Sequence, residues 1–253
     1  MLAADRQNKI LELLKNKKSI RNIELTKILN VSIETVRRDL ESLEQDNLIC
    51  KVHGGAVYKE ATIFPYSIRS SNFIHEKKEL SLIAINYIKN GDIIALNSSS
   101  TNIELAKLIK YKELAITIIT NSFLIAEELS SIPNIKLILA GGIYNKEEFA
   151  FLGQLTANFL SNFSVDKCFL SVGGVSLNRG ITDSIFDEVL VEKKLIDISD
   201  NIIVMVDSSK IENNSLIHIC NLEKIDTIIT DSKLDISIKN KYVENSINLI
   251  NNI

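Results

Sequence analysis

Cysteine and histidine are scarce in this chain, three of each in 253 residues. Cys50, Cys168 and Cys220 stand far apart among apolar neighbours, so they are expected as buried thiols rather than a disulfide framework or a metal site. His53, His75 and His218 are equally scattered and supply no zinc-ligand spacing. No apolar run approaches the roughly 20 residues that cross a bilayer. The N-terminus also lacks a basic start followed by an apolar stretch and a small-residue cleavage site. The chain is therefore expected in the cytoplasm, with no membrane partner. A basic excess is missing too: 29 Lys and Arg face 32 Asp and Glu, a net charge of −3, which taken alone argues against nucleic acid.

What is present is an ordinary globular composition, 45% hydrophobic and 24% charged, which excludes a disordered or collagen-like chain. A chain of 253 residues is expected to form two domains. Splitting the charge between them uncovers an asymmetry. Residues 1–60 hold eleven basic and nine acidic side chains, the remainder eighteen and twenty-three. The sign suits a DNA-binding front end, although a solvated helix surface has the same numbers.

The pattern of the first 60 residues is more specific. Ile10, Leu13 and Leu14 share one face of a helix over 5–16. Asn22 is a candidate N-cap for a short helix with Ile23, Leu25, Ile28 and Leu29, ending near Asn30, a residue that tolerates a left-handed turn. Val31 then plugs the turn. Ser32 caps a third helix in which Ile33, Val36, Leu40 and Leu43 face inward, leaving Glu34, Thr35, Arg37, Arg38 and Glu41 on or beside the opposite face. In a helix-turn-helix those outward positions meet the major groove, where Arg takes guanine bidentately and Thr meets a thymine methyl or a phosphate. The stretch 49–57 alternates around Gly54 and Gly55, as a two-stranded wing with a tight turn would, and places Lys51 and His53 toward phosphates. The competing reading is a three-helix bundle with solvated charges and a local Arg38–Asp39 ion pair.

The run Ser32-Ile33-Glu34-Thr35-Val36-Arg37-Arg38-Asp39-Leu40, then Leu43 and His53-Gly54-Gly55-Ala56, closely resembles the N-terminal signature of the DeoR family of bacterial sugar-operon regulators. Residues 1–57 are accordingly expected as a winged helix-turn-helix. The stretch 58–75, with Pro65 and no sustained periodicity, is expected as a linker, and 76–253 as a second domain.

From Glu76 onward amphipathic helices alternate with short apolar strands, the sequence form of an α/β domain with a largely parallel sheet. A helix with Leu80, Ile83, Ala84, Tyr87 and Ile88 stops at Gly91. The strand 93–96 then opens into Asn97-Ser98-Ser99-Ser100-Thr101-Asn102. Hydroxyls and amides at a strand end and helix start favour an anion, although Ser and Thr there also simply cap helices. Strand 116–119 ends in Thr120-Asn121, strand 135–139 in Gly141-Gly142, strand 168–172 in Gly173-Gly174, and strand 202–206 in Asp207-Ser208-Ser209-Lys210. In open α/β sheets the ligand crevice lies outside the carboxyl ends of the strands, so these turns are expected to converge. The glycines and Gly180-Ile181-Thr182-Asp183 do not complete a dinucleotide fingerprint, so no nicotinamide or other cofactor is expected.

The resemblance extends through the second domain. Thr120-Asn121, Gly141-Gly142, Phe151-Leu152-Gly153, Asp166-Lys167, Gly173-Gly174, Gly180 with Thr182, Glu188, Asp207-Ser208-Ser209-Lys210 and Thr230-Asp231 look like the family's sensor domain. That resemblance implies a fold similar to ribose-5-phosphate isomerases and CoA transferases, and a phosphorylated sugar or related metabolite as effector, bound and not turned over. With the strand-end turns it places Asn97, Ser98, Ser99, Ser100, Thr101, Thr120, Asn121, Gly141, Gly142, Gly173, Gly174, Asp183, Glu188 and Lys210 at the effector site, and it implies a repressor of double-stranded operator DNA; because one small module binds too weakly for regulation, a homodimer or homotetramer is expected. Two departures stand out. The family's usual Asp-Ser-Gly-Thr-Thr is Asn97-Ser98-Ser99-Ser100-Thr101 here, and Glu192 stands where a basic residue is common. Two alternatives remain at this level: a sugar-phosphate isomerase or transferase using Glu188, Asp207 and Lys210, or a regulator with a decayed pocket.

Overall fold

A computed structural model describes residues 2–17, 19–45, 48–52, 54–58 and 66–251, and the chain divides into two compact units, Met1–Ile68 and Arg69–Ile253. The first contains α1 (Ala3–Lys17), β1 (Ser19–Arg21), α2 (Asn22–Leu29), α3 (Ile33–Gln45), β2 (Ile49–Val52) and β3 (Gly55–Tyr58). Ile10, Leu11 and Leu14 of α1, Leu25 and Leu29 of α2, and Val36, Leu40 and Leu43 of α3 close one core with Ile20, Leu48, Ile49 and Ala56, and Val31 packs against it. Each such aliphatic side chain contributes about 1.5–3 kcal/mol through burial.

Three local expectations are corrected. Asn22 is the first residue of α2 rather than its cap; Arg21 holds the cap position and makes no side-chain cap bond. Ile23 and Ile28 are 63% and 43% exposed, so only Leu25 and Leu29 carry α2 into the core. The eight-residue helix is too short for a full apolar stripe. The wing gains a third strand, because β3 pairs antiparallel with both β2 and β1. Three residues give no periodicity to read, yet β1 explains Gly55: a Cβ there would lie 2.3 Å from the Ile20 carbonyl oxygen. Gly54, at φ +81°, takes the left-handed turn between the wing strands.

Helix α4 (Tyr66–Arg69) lies at the division, and the second unit continues through α5 (Ile74–Ala84), β4 (Ile93–Leu96), α6 (Ser100–Lys110), β5 (Ile116–Thr120), α7 (Phe123–Leu129) and β6 (Ile135–Leu139). A hairpin of β7 (Ile143–Asn145) and β8 (Ala150–Leu152) follows, then α8 (Gln154–Leu160), β9 (Val165–Leu170), β10 (Gly174–Ser176), β11 (Gly180–Asp183) and α9 (Phe186–Asp197). The chain closes with β12 (Ser199–Met205), β13 (Ile217–Cys220), β14 (Thr227–Ile229), α10 (Ile236–Glu244) and β15 (Leu249–Ile250).

Seven strands form one parallel sheet in the order β15-β14-β12-β9-β4-β5-β6. A three-stranded antiparallel sheet, β10-β11-β13, stands beside it. The α/β class expected from alternation holds, while strands 168–172 and 202–206 begin earlier, at Val165 and Ser199. Cys168 and Cys220 are buried thiols; the side chain of Cys50 lies outside the described residues. The sensor unit starts before residue 76. Lys77 donates to the carbonyl oxygens of Arg69 and, at 2.6 Å, Asn72, which ties 69–72 to α5. Among the described residues no helix is long and apolar enough to cross a membrane.

Candidate functional sites

In the first unit the Thr35 amide donates to Ser32 Oγ at 3.2 Å, the capping bond that starts α3. Glu34, Arg37 and Arg38 project into solvent and Thr35 is half-buried against the cap. Asp39 is not Arg38's partner. It is buried and receives a two-pronged hydrogen bond from Arg6 of α1, through Nε to Oδ2 and Nη2 to Oδ1. That bidentate pair fixes α1 against α3 and leaves the two neighbouring arginines unclaimed by Asp39. On the wing, the Lys51 amide donates to Glu44 Oε1 at 2.8 Å and its ammonium lies 3.2 Å from Glu41 Oε1, so Lys51 bridges β2 to α3. A notch of about 390 Å³ between helix and wing is lined by Asn22, Arg37, Leu40, Glu41, Lys51, Val52, Gly54 and Gly55. His53 lies outside the described residues.

In the second unit the parallel sheet brings the carboxyl ends of its strands to one edge. Ser98 and Asn121, from the ends of β4 and β5, exchange two bonds: the Ser98 amide donates to Asn121 Oδ1 at 2.9 Å and Asn121 Nδ2 to Ser98 Oγ at 3.1 Å. Thr120 Oγ1 donates to the Leu96 carbonyl at 2.8 Å. Ser99 caps α6, accepting from the Asn102 amide at 2.9 Å. Thr101 is buried and accepts from Ser171 Oγ at 3.3 Å, and Ser100 is half-buried at the first turn. Lys210 reaches the end of β9, donating to the Val172 carbonyl at 2.8 Å. The glycine pairs answer to packing. A Cβ on Gly142 would meet Thr156 Oγ1 at 2.1 Å, one on Gly173 Ser215 Oγ at 2.6 Å, and one on Gly174 the Asn213 carbonyl at 2.4 Å, whereas Gly141 is exposed with open space around it.

Asn97 is fully used within the protein. Its Nδ2 donates to the Ser171 carbonyl at 2.9 Å and Glu192 Oε1 at 3.2 Å, and its Oδ1 accepts from the Ser171 amide at 2.9 Å and Asn102 Nδ2 at 2.8 Å. Two donors and two acceptor sites are all an amide side chain has. Asn97 is thus a strut that joins β4 to β9 and holds Glu192.

Around this edge charged side chains are buried together. Burial, with Lys210 and Arg69 as positive neighbours, pushes the Lys77 ammonium down to about 8. Burial pushes Glu188 up to about 8, with Asp183 and Glu148 adding to the rise and Arg69 and Lys210 opposing it. Glu192 is raised for the same first reason, with Asp183 and Glu188 as like-charged neighbours. Arg69 pairs with the buried Glu148. Arg69, Lys77, Glu148 and Glu192 stand beside the residues expected at this edge. Their signal was faint: Glu188 and Glu192 sit four apart among Val189, Val191, Leu195 and Ile196, where an apolar helix face would have no charge. A separate hollow of about 530 Å³, bordered by Ile143, Tyr144, Leu152, Gly153 and Asp187 among others, contains none of these strand-end residues.

A winged helix-turn-helix with two solvent-facing arginines on its second motif helix, followed by a parallel α/β unit with a polar strand-end edge, defines a DNA-binding regulator with a sensor domain. The family model of the DeoR-like helix-turn-helix domain matches residues 6–62 and that of the DeoR C terminal sensor domain residues 72–232, and the chain belongs to the DeoR family of transcriptional regulators. It is a regulator and not an enzyme. An uncharacterized HTH-type transcriptional regulator of Bacillus subtilis, YulB, is 41% identical over 93% of this chain and 91% of its own length. The glycerol-3-phosphate regulon repressor of Escherichia coli is 27% identical over 98% and 99%. Among solved structures, a D-ribose-5-phosphate isomerase in complex with phospho-erythronic acid aligns with 55% of each chain at 19% identity and a TM-score of 0.41. Asn97 and Glu192, two of the positions at which the resemblance departs from its usual pattern, touch each other.

Proposed function

We propose that this chain is a cytoplasmic repressor of an operon for uptake or catabolism of a sugar or polyol, released or retained on its operator by a phosphorylated metabolite. The reading head, residues 1–57, places Ser32, Glu34, Thr35, Arg37 and Arg38 in the major groove, with Lys51, His53, Gly54 and Gly55 along the flanking phosphates. A homodimer or homotetramer sets two heads on operator half-sites, because one small module binds weakly. The effector's phosphate sits at Ser98, Ser99, Ser100 and Thr101 at the N-terminus of α6, beside Thr120 and Asn121, with Lys210 and Arg69 supplying positive charge. Gly141, Gly142, Gly173, Gly174 and Asp183 shape the surrounding turns, and Glu188 faces the ligand.

The observation that carries this reading is the meeting of polar strand ends at one edge, where Ser98 and Asn121 exchange two bonds and Lys210 reaches the carbonyl that follows β9. The amides that open α6 favour an anion at that edge. The repressor of the glycerol-3-phosphate regulon is a relative over nearly the full chain. An effector with different affinities for the DNA-competent and DNA-incompetent states shifts operator binding by that difference.

Genome-wide footprinting of the purified protein identifies the operator, and the operator's dissociation constant is then measured against a panel of sugar and polyol phosphates. At least one compound should change it by about fivefold or more, the lower end of typical allosteric coupling. A constant unchanged across the panel would remove the effector half of the reading; no protected DNA would remove the whole.

A further inference from the structure

Among the described residues six buried side-chain polar atoms lack a hydrogen-bond partner, and three of them are Arg69 Nε, Glu188 Oε1 and Glu192 Oε2. These three belong together: Glu188 feels the charge of Arg69, and Glu192 that of Glu188. A buried polar atom left unpaired is costly, so three in one neighbourhood call for a partner from outside the chain. Glu188 and Glu192 are four residues apart on α9 and therefore share a face. Both side chains are buried, at 6% and 2% exposure. Asn97 Nδ2 donates to Glu192 Oε1 at 3.2 Å, and Oε2 is the oxygen without a partner.

We propose that Glu188 and Glu192 exchange hydrogen bonds with hydroxyl groups of the effector, and so select a sugar or polyol phosphate with several free hydroxyls over a short or bare phosphate. The inference rests on the reading of this edge as the effector site. Hydroxyl groups fit better than an ammonium. Burial holds both carboxyls toward the neutral form, which donates to or accepts from a hydroxyl but gives a cation no counter-charge.

Isothermal titration calorimetry on the full chain separates the possibilities, using inorganic phosphate, glycerol 3-phosphate, fructose 1-phosphate, glucose 6-phosphate, glucitol 6-phosphate and glucosamine 6-phosphate. At least one of the hexose or hexitol phosphates should bind tenfold or more tightly than glycerol 3-phosphate and inorganic phosphate. In Glu192→Leu neither oxygen remains, so the ligand hydroxyl loses its partner, whereas Glu192→Gln keeps a carbonyl oxygen and puts an N–H donor where the neutral carboxyl has its O–H. Tenfold or greater loss is expected in Glu192→Leu for the hexose compound and none for inorganic phosphate, Glu188→Leu should act likewise, and the Gln variants should lose less. Ligand-free melting identifies variants that fold; should Glu192→Leu fail, Glu188→Leu carries the test alone. Unchanged hexose-phosphate affinity in folded variants overturns the hydroxyl assignment and leaves the effector site standing. Tightest binding of glucosamine 6-phosphate, lost in the variants, overturns it in favour of an ammonium. If no compound binds the unsubstituted chain, the hydroxyl assignment and the effector reading fall together.

Discussion

The reading head and the sensor unit treat charge in opposite ways. Among the described residues, Asp39 is the one buried charged or polar side chain of the head, and it is matched by the two-pronged bond from Arg6. The sensor unit buries Glu76, Lys77, Glu104, Glu148, Glu188, Glu192, Asp207 and Asp231. A three-helix unit with a dry apolar core leaves its chemistry outside, where a groove of DNA can meet it. A parallel sheet with helices packed beside it brings its chemistry in, where desolvated groups bind a small molecule strongly and discriminate between hydroxyl patterns. Breaking one class of group should therefore spare the other function.

The largest effect is expected at the head. Arg37→Ala with Arg38→Ala should weaken operator binding by about 100-fold, from about 1–3 kcal/mol per lost base or phosphate contact, and make its salt dependence shallower. Sensor-unit ligand binding should stay as it was. Operator affinity and salt slope equal to those of the parent would remove α3 as the reading helix.

Next is Asn97→Asp, which turns the donor facing the Ser171 carbonyl and Glu192 Oε1 into an acceptor. Urea denaturation should report a loss of about 2 kcal/mol. Adding Glu192→Lys should recover most of it by giving the new carboxylate a cation. A double variant no more stable than Asn97→Asp alone would mean that these residues are not coupled through their contact.

A graded effect follows from Glu188, whose folded value of about 8 lies above its ordinary value of 4.5. Between those values the folded chain holds a proton that the unfolded chain has released, so this group's contribution is complete below pH 4.5 and lost as pH rises toward 8. Arg69, Asp183, Glu148 and Lys210 face it, and Glu188→Gln should flatten the pH dependence of sensor stability. An equal slope in the variant would assign the titration to another group.

The smallest effect is expected at Ile23, which is 63% exposed: Ile23→Gln should shift stability by no more than about 0.5 kcal/mol. The neighbouring Leu25, fully buried, should cost about 2–5 kcal/mol as Leu25→Ala. Comparable losses from the two would contradict the orientation of α2.

Much of the fold was legible because period and punctuation agree. The inward Val36, Leu40 and Leu43 of α3, the left-handed Asn30 (φ 51°) and the Ser32 cap all follow from residue type and spacing. The strand ends of the sensor were legible for a related reason, since apolar runs stop where hydroxyls and amides begin. Strand β1 was not, because its three residues acquire meaning only when β3 lies alongside. Asp166 and Lys167 looked like sensor residues by resemblance, yet they sit at the start of β9, where Asp166 accepts from the Ile93 amide at 2.7 Å and Lys167 pairs with Asp92 at 2.6 Å. They join strands at the end of the sheet opposite the polar turns.

By itself the sequence determined that two units exist, that the first is a helix-turn-helix with Arg37 and Arg38 outward, and that polar turns follow the strands of the second. These are local properties, set by spacing along one helix or one strand. The partners of Asp39, the saturation of Asn97 and the meeting of Arg69, Glu188 and Glu192 were decided only by the tertiary structure. Each joins residues from about 30 to over 100 positions apart, and no local period encodes which buried polar groups will face one another once the sheet has closed its order.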